Sequence, residues 1–357
     1  MGATIYDVAR HAGVSPSTVA NVVRGTTPVS TAMRARVEAS IAALGYRPNA
    51  AARNLRLGRT GSIAIAVPEL IVPYFSELCE AIVDEASRRS YTVVIECTKG
   101  DPDDERRLLA DPSLGHAVDG LIFSPLGLGG DELTLGSHET PVIMLGERVH
   151  DDGVFDHVLI DNTRAAREAV EHLIGLGRKR IAVIGWQPVE STGTVRIRGY
   201  QEALVAAGYA VDDELEIPTS HYYREEGSAA MGRLLELADP PDAVFCANDL
   251  LAVGALRAIQ RKGLRVPEDV AVVGFDGTDE GKYTSPSLTT IAPDKADIAA
   301  RAVGQLLRRL EGDTSPPVVL EAGYELVVRE SSAGTARTRR KPAAGTRRAP
   351  AAPRRRS

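Results

Sequence analysis

Seven short runs of apolar, largely β-branched residues recur along the chain, at 62–67, 91–95, 119–123, 141–145, 180–184, 242–246 and 269–275. Stretches with helical periodicity lie between and after them, at 74–89, 163–176, 225–237, 248–262 and 295–310. A strand that is apolar along its whole length is buried on both faces, and regular alternation with helices requires parallel sheets covered on each side. The pattern spans roughly 270 residues, more than one core usually organises. The expectation is therefore two doubly wound parallel-sheet lobes over 61–332. Lobe 1 covers about 61–160 and 292–322, and lobe 2 about 161–291 and 323–332. Ligands on such sheets sit at the carboxyl ends of strands, and a two-lobed core offers a cleft there.

Residues 1–47 follow a different pattern. Thr4 and Asp7 have nearly the spacing of a capping box, and Ile5, Val8, Ala9 and Ala12 share one helical face. Gly13 permits a sharp turn. Ser15 is then placed as an N-cap and Pro16 at the first helical position. Val19, Val22 and Val23 supply the inward face of this second helix, which Gly25 ends. Ser30 opens a third helix through Met33, Val37, Ile41 and Leu44, stopped by Gly45. Two short helices joined by a tight glycine turn fit a helix-turn-helix.

Charge is segregated along the chain. The formal net charge is -6, yet residues 1–60 carry +6 and residues 333–357 carry +9 without a single acid, which leaves -21 on the middle. A basic head on an acidic body is the asymmetry expected when one end meets nucleic acid. The tail at 333–357, built from Ala, Pro, Gly, Thr and Arg, reads as a disordered basic segment. The three cysteines, Cys79, Cys97 and Cys246, form no Cys-x-x-Cys pair and read as buried, inert thiols in a reducing compartment. No run reaches the ~20 apolar residues of a membrane span, and the N-terminus lacks the pattern of a signal peptide. The expected location is the cytoplasm.

The run at 4–25, Thr-Ile-Tyr-Asp-Val-Ala-Arg-His-Ala-Gly-Val-Ser-Pro-Ser-Thr-Val-Ala-Asn-Val-Val-Arg-Gly, together with Leu44-Gly45-Tyr46-Arg47-Pro48-Asn49, closely resembles the N-terminal signature of the LacI/GalR family of regulators. Further matches are Ala247-Asn248-Asp249, Val-Gly-Phe-Asp at 273–276 and Leu-Val-Val-Arg-Glu-Ser at 326–331, so the resemblance covers about 4–332. It implies an all-α helix-turn-helix head joined to a core like the periplasmic binding proteins. It also implies a homodimer on palindromic double-stranded operator DNA, most often a repressor, controlled by a small-molecule effector of sugar type.

By position, the resemblance makes Pro16, Ser17 and Asn21 operator-reading residues, with Tyr6 and Thr18 near phosphates. Asn21 can make a bidentate contact to adenine, whereas Pro16 can read only shape or a thymine methyl. Residues 48–60 form a hinge helix and linker. Asn49 offers a cap, Leu55 stands where the family wedges a leucine into the minor groove, and Arg53 and Arg56 lie along the groove walls. Such a short helix is marginal alone, and in the family it orders on specific DNA.

The effector roles fall on Phe75, Thr192, Arg196, Tyr222, Asn248 and Asp276. The residue types suit vicinal hydroxyls and a sugar face, although Asn248 is also a good helix N-cap and Asp249 suits a helix N-terminus. Two departures bear on the ligand. Leu145-Gly146-Glu147-Arg148 stands where the family often has a ligand-binding Asp, and Lys295 replaces an aromatic of some relatives, a charge that would suit an anionic ligand. The helix at 74–89, with Leu78, Ala81, Ile82 and Glu85, resembles the family's dimer surface. No metal-ligand spacing, phosphate loop or Ser-His-Asp order is present, so neither an enzyme nor a cofactor is expected. The alternative is a sugar- or nucleoside-binding receptor with the same core and no gene control.

Overall fold

The computed structural model describes residues 3–24, 29–46, 59–110, 117–128, 140–146, 153–186 and 192–333. Asn49, Arg53, Leu55 and Arg56 of the expected hinge, and residues 334–357 of the tail, lie outside them. The chain divides into two compact units. The first comprises Met1–Leu70, Leu78–Val158 and Ala299–Leu320; the second comprises Ile71–Glu77, Leu159–Ile298 and Glu321–Ser357.

The first unit contains the helical head. Helix α1 (Ile5–Ala12) opens with a complete capping box, in which Thr4 and Asp7 each accept from the other's backbone N–H, and closes on Gly13 in the left-handed region. Only a residue without a β-carbon adopts that turn cheaply. Helix α2 (Pro16–Arg24) starts where the Ser15 hydroxyl accepts the Thr18 N–H at 3.1 Å. Helix α3 (Thr31–Leu44) is capped by Ser30 and ended by Gly45. Val8, Ala9, Ala12, Val19, Val22 and Val37 meet in one small core. Val23 does not join it. It is 40% exposed, because the face that buries Val19 and Val22 turns the next position outward.

The same unit contains a six-stranded sheet in the order β11-β5-β4-β3-β1-β2. Its strands are β1 (Ser62–Val67), β2 (Thr92–Cys97), β3 (Leu121–Phe123), β4 (Val142–Leu145), β5 (Asp156–Leu159) and β11 (Val319–Glu321). β1 is buried from Ile63 to Val67, while edge strand β2 is largely exposed, including Val94, Ile95 and Cys97. The expectation of three buried thiols thus fails at Cys97, since an edge strand is covered on one side only. Burial pushes the Cys79 thiol up to about 11. In helix α4 (Pro73–Arg88), Leu78, Ile82 and Glu85 are buried within the single chain. Of the four residues expected on a dimer surface there, only Ala81 keeps exposure.

The second unit holds a sheet in the order β12-β10-β9-β8-β6-β7. These strands are β6 (Ile181–Trp186), β7 (Glu216–Pro218), β8 (Ala243–Cys246), β9 (Ala271–Phe275), β10 (Thr289–Pro293) and β12 (Tyr324–Val327). All pairs are parallel except β10–β12. After α5 (Pro102–Ala110) of the first unit, helices α6 (Asn162–Gly175), α7 (Thr192–Ala206), α8 (Arg224–Leu234), α9 (Asp249–Arg261) and α10 (Glu280–Tyr283) follow in order, and α11 (Lys295–Leu310) begins here. One face buries Ala182, Ile184, Val244, Cys246 and Val272 under Met231, Leu234, Leu251, Ala255 and Ile259. All seven apolar runs are strands. β5, β7, β10, β11 and β12 were not expected, because they are short, polar in part or at edges, and carry no continuous apolar run.

Candidate effector site and DNA-binding head

Three strands of the second sheet deliver a polar cluster at their carboxyl ends. After β6, helix α7 presents Arg196; after β8 comes Asn248; after β9 comes Asp276. Gly185, at φ +105, allows β6 to bend there, and a β-carbon on it would overlap Leu251. Arg196 Nη1 lies 3.6 Å from Asp276 Oδ1 and donates to the Ala247 carbonyl at 2.5 Å, while Nε donates to Asn162 Oδ1 at 2.8 Å. Its guanidinium carbon sits 3.5 Å from the centroid of the Phe275 ring, so the planar cation is held from its face and its edges.

Asp276 is 6% exposed and has φ 114, a backbone conformation that L residues rarely adopt. Its N–H donates to the Ile291 carbonyl at 2.8 Å, and its own carbonyl accepts from Lys295 Nζ at 2.6 Å. These bonds over-determine a conformation that costs about 1–3 kcal/mol. Burial pushes the Asp276 carboxyl up to about 7, against the opposing charge of Arg196. Asp249, fully buried, accepts from Thr290 Oγ1 at 2.6 Å and from the Thr278 N–H at 2.7 Å, and burial raises it to about 6. It ties the ends of β8, β9 and β10 together, a structural part.

Asn248 performs the capping role: its Oδ1 accepts the Leu251 N–H at 2.9 Å. Its Nδ2 donates to the Tyr222 carbonyl at 3.2 Å, and the Tyr222 hydroxyl packs against Gly193, where a β-carbon would collide with it. Tyr222, Asn248, Arg196 and Asp276 thus form one chain of neighbours, and Thr192 directly precedes Gly193, against which Tyr222 packs. Phe75 is joined to it only indirectly, packing edge-on at 5.3 Å against Tyr74, whose ring centroid is 5.5 Å from Lys295 Nζ. Sequence reasoning missed Asn162, Tyr74, Glu77 and Phe275. Asn162 follows β5, a strand with no apolar run to announce it, and the others sit one or two residues from chosen positions. Leu145 is buried within β4.

In the head, Tyr6 is 66% exposed and Ser17 is exposed, while Pro16, Thr18 and Asn21 are half-buried. The Ser15 hydroxyl lies 2.7 Å from that of Ser17 and 2.8 Å from that of Thr18. The start of α2 therefore carries three linked hydroxyls, each able to give or take a hydrogen bond. Among the described residues no cluster of His, Cys, Asp or Glu could hold a metal, and no helix is long and apolar enough to cross a membrane.

Residues 4–49 match the family described as bacterial regulatory proteins, lacI family, and residues 170–332 match the periplasmic binding protein-like domain. Catabolite control protein A of Priestia megaterium is 32% identical over 334 residues, covering 93% of this chain and all of the relative. The transcriptional regulator CelR in complex with cellobiose is 33% identical with a TM-score of 0.69, covering 92% of this chain and 99% of the other. The lac repressor dimer bound to operator and the anti-inducer ONPF is 28% identical with a TM-score of 0.73, covering 93% and 99%. With the capped three-helix head, the two largely parallel sheets and these full-length likenesses, the chain belongs to the LacI family of transcriptional regulators, with a DNA-binding domain and an effector-binding core, and is not an enzyme.

Proposed function

We propose that this regulator is a cytoplasmic, dimeric repressor whose grip on a palindromic operator is released by a neutral sugar or sugar derivative. The observation that carries the effector half is the buried Arg196–Asp276 pair at the strand ends, flanked by Asn162, Asn248 and Tyr222. A guanidinium, a carboxylate and amides give the paired donors and acceptors that vicinal hydroxyls need. The cellobiose complex of the CelR relative supports a sugar. Phe75 and Thr192 complete the proposed effector set.

In the DNA half, Pro16, Ser17 and Asn21 read base edges, Tyr6 and Thr18 meet phosphates, and Asn49, Arg53, Leu55 and Arg56 act in the minor groove. The operator-bound lac repressor dimer supports this assignment and the dimer. The exposed Val94 and Ile95 on edge strand β2 suit the contact with a second copy better than Leu78 or Ile82. The test is a thermal-shift screen of the full chain with neutral sugars and nucleosides, followed by operator binding with each hit. A sugar that raises the melting temperature and weakens operator binding is expected. A library with no stabilising sugar would overturn the ligand class, and a hit that tightens operator binding would overturn release as the mode of control.

A further inference from the structure

Lys295 was the residue that suggested an anionic ligand, and its surroundings argue the reverse. Its ammonium donates to the Asp276 carbonyl at 2.6 Å and the Gly277 carbonyl at 3.4 Å, and lies 3.1 Å from Glu77 Oε2. Glu77 is held in turn, since its Oε1 accepts the Asp279 N–H at 3.0 Å. Only 13% of the lysine side chain is exposed. Arg196 is likewise occupied by Asp276, Asn162 and the Ala247 carbonyl. Among the described residues around Asp276, both cations already have a carboxylate partner, and buried Asp249 adds a third carboxylate. All of these residues belong to the second unit.

A phosphate ester brings a charge near -2 and needs donors that are not already committed. Here it would find both cations already paired, Lys295 with Glu77 and Arg196 with Asp276, and the Glu77 carboxylate would repel it across a short distance. We propose that Glu77 determines specificity: by occupying the Lys295 ammonium it restricts the effector site to uncharged polyhydroxyl ligands and excludes their phosphate esters. Lys295 then acts as a positioning residue that holds the strained Asp276 backbone. The inference rests on the effector reading of the Arg196–Asp276 pair.

The test uses the full chain and matched probes: glucose and glucose 6-phosphate, ribose and ribose 5-phosphate, cellobiose and its phosphate, adenosine and its monophosphate. Calorimetric Kd values at neutral pH and constant ionic strength give a neutral-to-ester preference for each pair. The wild type is expected to prefer the neutral member by about tenfold or more. Glu77→Gln is expected to narrow that preference by about tenfold through tighter ester binding, and Glu77→Gln/Lys295→Gln to restore it. Glu77→Asp, which withdraws the carboxylate by one methylene, gives the same reading in smaller measure should Glu77→Gln fail to fold. An ester bound by the wild type as tightly as its parent overturns the inference, as does an unchanged preference in both Glu77 variants. A double variant as permissive as Glu77→Gln also overturns it, because the gain would then come from loosening and not from a freed cation. If no probe binds the wild type, the effector reading falls and this inference with it; neutral binding with an unmoved preference removes this inference alone.

Discussion

Arg196 and Asp276 stand 3.6 Å apart, nitrogen to oxygen, one on α7 and the other just past β9, with the Arg196 guanidinium laid on the Phe275 ring. Arg196 favours the ionised form of Asp276 and burial favours the protonated one, and the pair lies at the end of the sheet where ligands bind.

Arg196→Ala should therefore weaken binding of the sugar found by the screen by roughly two to three orders of magnitude, the usual cost of truncating a buried hydrogen-bonded charge. Operator affinity without ligand should stay near wild type. Calorimetry and operator titration on the same preparation check both, and an unchanged sugar response would mean that the pocket lies elsewhere.

Asp276 gives stability a definite dependence on pH. In the folded chain it holds its proton up to about pH 7, against an ordinary value of 3.8. Between those values the folded state binds more protons than the unfolded one, so this group's contribution falls as pH rises and levels off above about 7. Asp276→Asn should remove that slope. The melting temperature of the variant minus that of the wild type should climb from pH 4 to 7 and then flatten; a flat difference throughout would contradict the raised carboxyl.

Gly199 lies where a β-carbon would overlap the Thr163 carbonyl oxygen and crowd Ala166, so α6 and α7 approach at backbone contact. Gly199→Val should destabilise the chain by about 1–3 kcal/mol. Urea unfolding measures it, and a loss below a few tenths would show that the helices part without cost.

Ser15→Ala removes the hydroxyl that accepts the Thr18 N–H and also touches Ser17 and Thr18. A lost N-cap costs about 1 kcal/mol. Faster amide exchange in α2 and weaker operator binding should appear together, while sugar affinity stays unchanged.

Leu55→Ala addresses the hinge. Specific operator binding should drop far more than binding to non-specific duplex, since the proposed wedge acts only where the minor groove opens. Equal losses on both in filter-binding titrations would remove the wedge.

Much of this was legible in the sequence because the responsible signals are local. The caps Thr4, Ser15 and Ser30 and the turn glycines Gly13 and Gly45 act over a few residues, and continuous apolar strands follow from burial on both faces. The run at 4–25 fixed the family for the same reason: it is contiguous. Edge strands such as β7 and β12 gave no such signal, because half-covered strands need few apolar residues. The pairing of Lys295 with Glu77 was decided only by the tertiary structure. The two residues lie far apart in the chain, and a charge has meaning for a ligand only once its nearest opposite charge is known. Composition supplied the lysine; folding determined that its charge was already spoken for.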